Sequence, residues 1–299
     1  MQKISHFFLF CLKTRSKRGE YQCLKKYIEF MKRSPLITAA LCIVYVVVCF
    51  KSVPTQTHFQ FFIVRTMLCG AACFFLYQIS GDKTLASSYN STSYVLKYSV
   101  GFLIVAFSLG TIVLVSDISE KRPLLQNPVL ELFVVFLMYM SVGLFEELSF
   151  RAVVNDAIIY KYSNWKYVFV LGAVVSSLVF GAVHVLGGFD PLSAMAWGQA
   201  IGKTLEASLF GLALLILYWK TRNIWACGLA HGLNDFLTDY TSGLFIPEEG
   251  LGSYVRTGED AAKLLLVYVG LIVINLVFVL IIWKKVGKTI DFEKIRREW

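Results

Sequence analysis

Charge is what this chain has least of. Only 16% of its 299 residues are charged, 57% are hydrophobic, and the mean hydropathy is +0.62. A soluble domain is about a quarter charged, so an ordinary water-facing surface is excluded for most of the chain. Histidine (four) and proline (six) are also scarce. Few prolines leave long helices unbroken. The seven cysteines, Cys11, Cys23, Cys42, Cys49, Cys69, Cys73 and Cys227, form no Cys-x-x-Cys pair and no zinc-finger spacing. An odd number scattered along apolar runs excludes a disulfide framework and leaves packing as their role. A cleavable leader is not evident. The run His6–Leu12 is short, and a basic stretch to Arg33 follows it, which reads as a retained signal anchor. There is no internal repeat, no low-complexity segment and no nucleic-acid motif, so the net charge of +9 needs another explanation.

What is present is a series of long apolar runs. They are Pro35–Phe50, Phe59–Ser80, Tyr94–Ser116, Pro128–Phe145, Tyr167–Leu186, Leu192–Trp219, Ile224–Tyr240 and Ala262–Trp283. Most approach the ~20 residues that span a bilayer as helix; the first and seventh are short, and the fourth is expected to continue as helix beyond Phe145. The reading is an all-α polytopic membrane protein of about eight transmembrane helices. It divides into a basic tail (1–34), three N-terminal helices (35–127), a core (128–240), an outer loop (241–261) and a last helix with a basic tail (262–299). Of the 29 Lys and Arg residues, 20 fall in the two tails and in the loops near Lys83, Lys161/Lys166 and Lys220/Arg222. Four (Lys51, Lys121, Arg122 and Arg256) fall in the alternate loops, and the outer loop carries Glu248, Glu249, Glu259 and Asp260. The positive-inside rule then places both termini in the cytoplasm, with a bacterial plasma membrane as the expected location.

Ionisable groups inside a bilayer are costly and mark function by default. Three clusters qualify. In Glu146-Glu147-Leu148-Ser149-Phe150-Arg151, Glu147 and Arg151 share a helix face and can pair, which leaves Glu146 a free carboxylate suited to accepting a proton. In Phe180-Gly181-Ala182-Val183-His184, Phe180 and His184 lie one turn apart. In His231-Gly232-Leu233-Asn234-Asp235, His231 and Asp235 share a face. Each cluster alone has a structural explanation: the charged end of a helix, a histidine bonding a neighbour, polar glue between helices. Three in nearby spans favour a shared site. Arg65, Lys97 and Lys203 read as isolated, snorkelling or locally paired. Gln199 and Glu206 share a face of the sixth run. Gly172, Gly181 and Gly211 read as close-packing positions.

Glu-Glu-x-x-x-Arg, then Phe-x-x-x-His, then His-x-x-x-Asp, in this order between Pro128 and Tyr240, resembles the CAAX protease and bacteriocin-processing (Abi) family, which includes type II CAAX prenyl endopeptidases. Thr221-Arg222-Asn223-Ile224-Trp225-Ala226, leading into His231, fits the third motif. The resemblance implies a metal-independent glutamic-type intramembrane endopeptidase with a conical cavity open to the cytoplasmic side. It implies that Glu146 and His184 activate a water, that His231 and Asp235 stabilise the oxyanion, and that Glu147 and Arg151 hold the first motif in place, with Phe180 and Asn234 as supporting residues. Asp235 fits least well, because an ionised carboxylate only accepts. A protonated Asp235, an Asp235 that orients His231, or donation by Asn234 are the three ways out. A linear reading also puts Glu146 toward the cytoplasmic end of its run and His184 near the outer end of the next.

No cofactor is expected. A zinc held by Glu146, His184 and His231 is the lower-ranked alternative, since no His-Glu-x-x-His helix is present. A membrane scaffold controlling a sensor kinase or conferring bacteriocin immunity is a second alternative, with a regulatory membrane protein as partner. A transporter is a third, disfavoured by the lack of repeats. The expected substrate is a peptide or small membrane-associated protein, held among membrane lipid. For a bacterial source, a bacteriocin leader, pheromone or membrane peptide fits better than a prenylated CAAX protein. No nucleic acid partner is expected.

Overall fold

The computed structural model describes residues 26–27, 29–31, 33–52, 56–80, 89–186, 192–246, 254–258 and 260–297. The expectations for His6–Leu12, Cys11, Cys23, Lys83, Glu248, Glu249 and Glu259 lie outside the described residues. Among these residues the chain is helical, with no strands beyond one isolated antiparallel bridge between Leu124 and Phe245.

Eight principal helices follow the eight apolar runs. They are α1 (Pro35–Ser52), α2 (His58–Ser80), α3 (Tyr89–Ser119), α4 (Pro128–Lys161), α5 (Val168–Val183), α6 (Ala194–Thr221), α7 (Ile224–Asp239) and α8 (Asp260–Val286). Five of them, α2, α3, α4, α6 and α8, are long and apolar enough to cross a membrane. Their outward faces carry Ile104, Ile112, Val129 and Leu266, all more than half exposed. A continuous apolar belt of this kind is intolerable in water and natural in lipid. The protein is an integral membrane protein.

α7 is short, as its run was, and α5 is shorter than the run Tyr167–Leu186. α5 and α7 have 16 residues each, about 24 Å of rise against a hydrocarbon layer of ~30 Å. After α7 the chain turns through a 3-10 segment, Tyr240–Gly243, and continues extended. Leu125 N donates to Leu244 O and Ile246 N to Pro123 O, so this non-helical backbone finds partners inside the protein.

The helix starts are written locally. Pro128 occupies the first helical position of α4, where its missing N–H costs nothing. Ser193 and Asn223 cap α6 and α7 by accepting from the N–H groups of Ala196 and Ala226. Arg222 adopts φ 51 to end α6 and leaves only a two-residue turn before α7. α6 is the most enclosed long helix, with 61% of its apolar window buried against 22–28% in the others.

The ends of the helices gather on two opposite faces. On one, His58 pairs with Glu131 and the Gln199 side chain bonds the backbone of Arg256. On the other, Lys220 Nζ donates to Thr289 O, Arg296 to the carbonyls of Ser163 and Lys166, and Asn223 to Ser91. We call these the loop face and the tail face.

Candidate active site

The fourth run does not stop at the acidic pair. α4 continues for 34 residues, and Glu146 sits about halfway along it. The continuation is as the sequence led us to expect; what changes is the placing of Glu146 toward the cytoplasmic end of its run. The physical reason is that Glu147–Arg151 and the residues after it are fully packed, so the segment can stay helical in the protein interior. From Glu147 to Val154 the helix widens to π geometry, and all eight residues are buried. Wider turns of this kind recur at functional sites. With Glu146 at mid-depth and α5 short, His184 at the end of α5 reaches the same level.

The site is held together by one close helix crossing. At Gly143 a Cβ would stand 2.3 Å from Gly232 N and 2.5 Å from Gly228 O, so α4 and α7 touch backbone to backbone. That contact brings the His231 ring onto the acidic pair. His231 Nδ1 donates to Glu147 Oε1 at 2.9 Å. Its Nε2 lies 3.6 Å from Glu146 Oε2 and 3.5 Å from Asp235 Oδ2. Both ring nitrogens therefore face carboxylate oxygens, which only accept when ionised, so the ring is oriented as a donor. Asn234 interacts through its side chain with Asp235.

Glu147 and Arg151 pair at 3.3 Å and are both fully buried. Arg151 Nε also donates to Gly211 O, and the guanidinium lies 3.8 Å from the centre of the Phe180 ring. Neither Nη atom has a hydrogen-bond partner among the described residues; the ring face takes that role, a contact of ~2 kcal/mol or more when desolvated. Phe180 in turn stands edge-on to both His184 and His231, with ring centres 4.8 and 5.7 Å apart. One phenylalanine thus fixes the guanidinium and two imidazoles.

His184 Nδ1 lies 2.9 Å from Phe180 O. A carbonyl oxygen cannot donate, so Nδ1 carries the hydrogen of that bond. Nε2 of the neutral ring is then left as an acceptor. Glu146 and His184 line one cavity of about 260 Å³, whose other walls are Val46, Val47, Phe145, Phe150, Val183, Leu186 and Tyr254. The lining is apolar except at the acid, the imidazole and the phenol, as small-ligand sites tend to be. No three His, Cys, Asp or Glu side chains are arranged as a metal site among the described residues.

Several expectations need adjustment. Lys203 takes the local pairing of the two readings, with Glu206 at 2.8 Å, and Asn275 of α8 donates to that glutamate. Gln199 and Glu206 share a helix but not a task, since Gln199 binds Arg256 instead. Two features went unread. Asp156, fully buried, accepts from Tyr218 and from both Nη atoms of Arg222, tying α4 to the α6–α7 turn. Tyr254, from the segment before α8, places its ring 5.7 Å from that of His184. A buried acid one turn past an Arg could have been noticed; nothing in the sequence marks Tyr254.

Gly211 is the tightest point around the Arg151 anchor. A Cβ there would lie 2.1 Å from Arg151 Nη2 and 3.0 Å from Phe180 Cδ1. Gly211→Ala is expected to displace the guanidinium and lower stability by ~1–3 kcal/mol, the usual cost of overpacking. Thermal unfolding in a fixed detergent checks this; an unchanged melting temperature would contradict the packing described.

Comparison with curated proteins and with solved structures gave no match. A family comparison did: residues 128–237, the segment that supplies Glu146, Glu147, Arg151, Phe180, His184, His231, Asn234 and Asp235, match the family described as type II CAAX prenyl endopeptidase Rce1-like.

Proposed function

We propose that this protein is a CAAX-type intramembrane endopeptidase that hydrolyses peptide bonds with a water activated by Glu146 and His184. The observation that carries the proposal is the convergence of Glu146 and His184, from different helices, on one apolar cavity, with His231 at 3.6 Å from the acid. The family match over the same segment supports it.

The chemistry follows from the donors and acceptors. A water between Glu146 and the free Nε2 of His184 gives its proton to the Glu146 carboxylate as its oxygen adds to the peptide carbonyl carbon. The carbonyl oxygen becomes an oxyanion, and His231, whose Nε2 lies 3.6 Å from Glu146, is assigned as the donor that stabilises it. Collapse of the tetrahedral intermediate breaks the C–N bond. The leaving nitrogen takes the proton back from Glu146. Glu147 holds His231 through Nδ1, and Arg151 holds Glu147. Asp235 orients His231 rather than touching the oxyanion, which resolves its lack of a hydrogen to donate. No step requires a metal.

This assigns different outcomes to two changes at one position. Asp235→Asn keeps a polar group beside His231 and is expected to retain cleavage within about tenfold, ~1.4 kcal/mol in barrier. Asp235→Leu removes it and is expected to lose considerably more. Initial rates on a membrane-associated peptide check this, and equal losses in the two variants would show that the carboxylate itself takes part.

A further inference from the structure

The cavity has a definite side. Its rim residues Leu186 and Tyr254 belong to the connections after α5 and before α8, both on the loop face, and both side chains are about half exposed. The Tyr254 segment is strapped there. The buried Gln199 side chain accepts from Arg256 N at 2.7 Å and donates to Arg256 O at 2.9 Å, and Tyr268 donates to Tyr254 O. Lys203 Nζ lies 4.8 Å from the centre of the Tyr254 ring.

Toward the tail face the cavity has a floor. Glu147–Val154 are buried throughout, as are Asn155–Ile159 below them. Ser176 of α5 donates to Phe150 O. The Asp156–Arg222–Tyr218 cluster seals the bottom. Among the described residues, side chains packed this closely leave no water-lined path of peptide width.

The tail face is also the basic one. Among the described residues, the tails and the connections on that face hold 12 Lys and Arg residues against four in the connections of the loop face. The positive-inside rule assigns the basic face to the cytoplasm. Cytoplasmic termini, expected from the charge count, and a cavity open to the cytoplasm, implied by the family resemblance, are therefore incompatible in this fold.

We infer that the cavity is approached from the extracytoplasmic side, and that its substrates are peptides exported to, or anchored with their cleavage site in, the outer half of the membrane. The inference rests on the proteolytic reading for the word substrate and on geometry and charge for the side. The Tyr254 strap then forms the outer wall of the site, next to His184, where it meets an incoming chain before the reactive groups do.

Cysteine labelling in intact cells tests the side without needing turnover. Thr257→Cys and Leu186→Cys report the loop face and the cavity rim, and Lys288→Cys reports the tail face. All three side chains are solvent-accessible. A membrane-impermeant maleimide is expected to label the first two above the parent chain in intact cells, and Lys288→Cys only after permeabilisation. An epitope placed after Trp299 should resist external protease, which checks the same assignment without a cysteine. Labelling of Lys288→Cys in intact cells, with Thr257→Cys silent until permeabilisation, overturns the inference whether or not the protein cleaves peptides. The expected labelling in a protein that cleaves nothing would instead remove the proteolytic reading and leave the sidedness standing.

Discussion

Glu146→Gln is expected to reduce peptide cleavage by ~10²–10⁴-fold, the usual contribution of a positioned general base, while leaving the fold intact. Glutamine keeps the shape and presents a carbonyl oxygen to His231 Nε2, 3.6 Å away, in place of the carboxylate oxygen. It cannot take a proton from water. Glu146 faces the cavity and is not half of the buried Glu147–Arg151 pair, so its neutralisation strands no cation. Single-turnover cleavage in reconstituted vesicles, with the melting temperature recorded beside it, separates chemistry from stability. A variant that folds normally and still supports the biological role would favour the scaffold alternative, in which the same residues serve only as contacts.

Arg151→Met is expected to act the opposite way, on stability first. Methionine fills the stem of the arginine but leaves the Glu147 carboxylate buried with a histidine as its remaining partner. Removing one member of a buried ion pair costs ~3–5 kcal/mol because the other charge stays desolvated. Phe180 loses the guanidinium stacked 3.8 Å from its ring and with it the constraint on both imidazoles. A large fall in melting temperature is therefore predicted, with activity lost even at temperatures where the protein remains folded. The double variant Glu147→Gln with Arg151→Met removes both charges and should recover part of the stability but not the cleavage, since Glu147 no longer holds His231 as a carboxylate. A single Arg151→Met variant as stable as the parent would show that the pair is not the anchor described here.

The contacts within a helix were legible before the fold was. Spacings of four residues predict the Glu147–Arg151 pair, the Phe180–His184 stack and the meeting of His231 with Asp235, and the structure contains all three. The apolar runs likewise locate eight helices, because composition alone decides what can face lipid. What lay beyond reach was whatever depended on where helices end and cross. Glu146 looked terminal because an apolar run stops there, yet Leu148–Ile159 are buried by neighbouring helices, which lets a polar sequence stay helical in the interior. The seventh run looked short for a span, and the structure shows how its crossing is completed, by backbone after α7 paired with residues 123–125. The Lys203–Glu206 pair is local and legible, whereas Asn275, which braces that glutamate, is 69 residues from it along the chain. Tyr254 is an ordinary residue in a polar loop until the Gln199 clamp turns it over the cavity. Long-range packing carries no local signature, and the sidedness of the cavity follows from that packing.

The central claim is that Glu146 activates water to cut a peptide bond inside this cavity. The most direct measurement is cleavage of a membrane-associated peptide by the purified, reconstituted protein in ¹⁸O-labelled water, followed by mass spectrometry of the fragments. The account predicts fragments whose new C-terminal carboxyl carries one labelled oxygen, formed by the parent protein and not by Glu146→Gln. Labelled fragments in equal amounts from both proteins would contradict it, as would a parent protein that binds the peptide and leaves it whole.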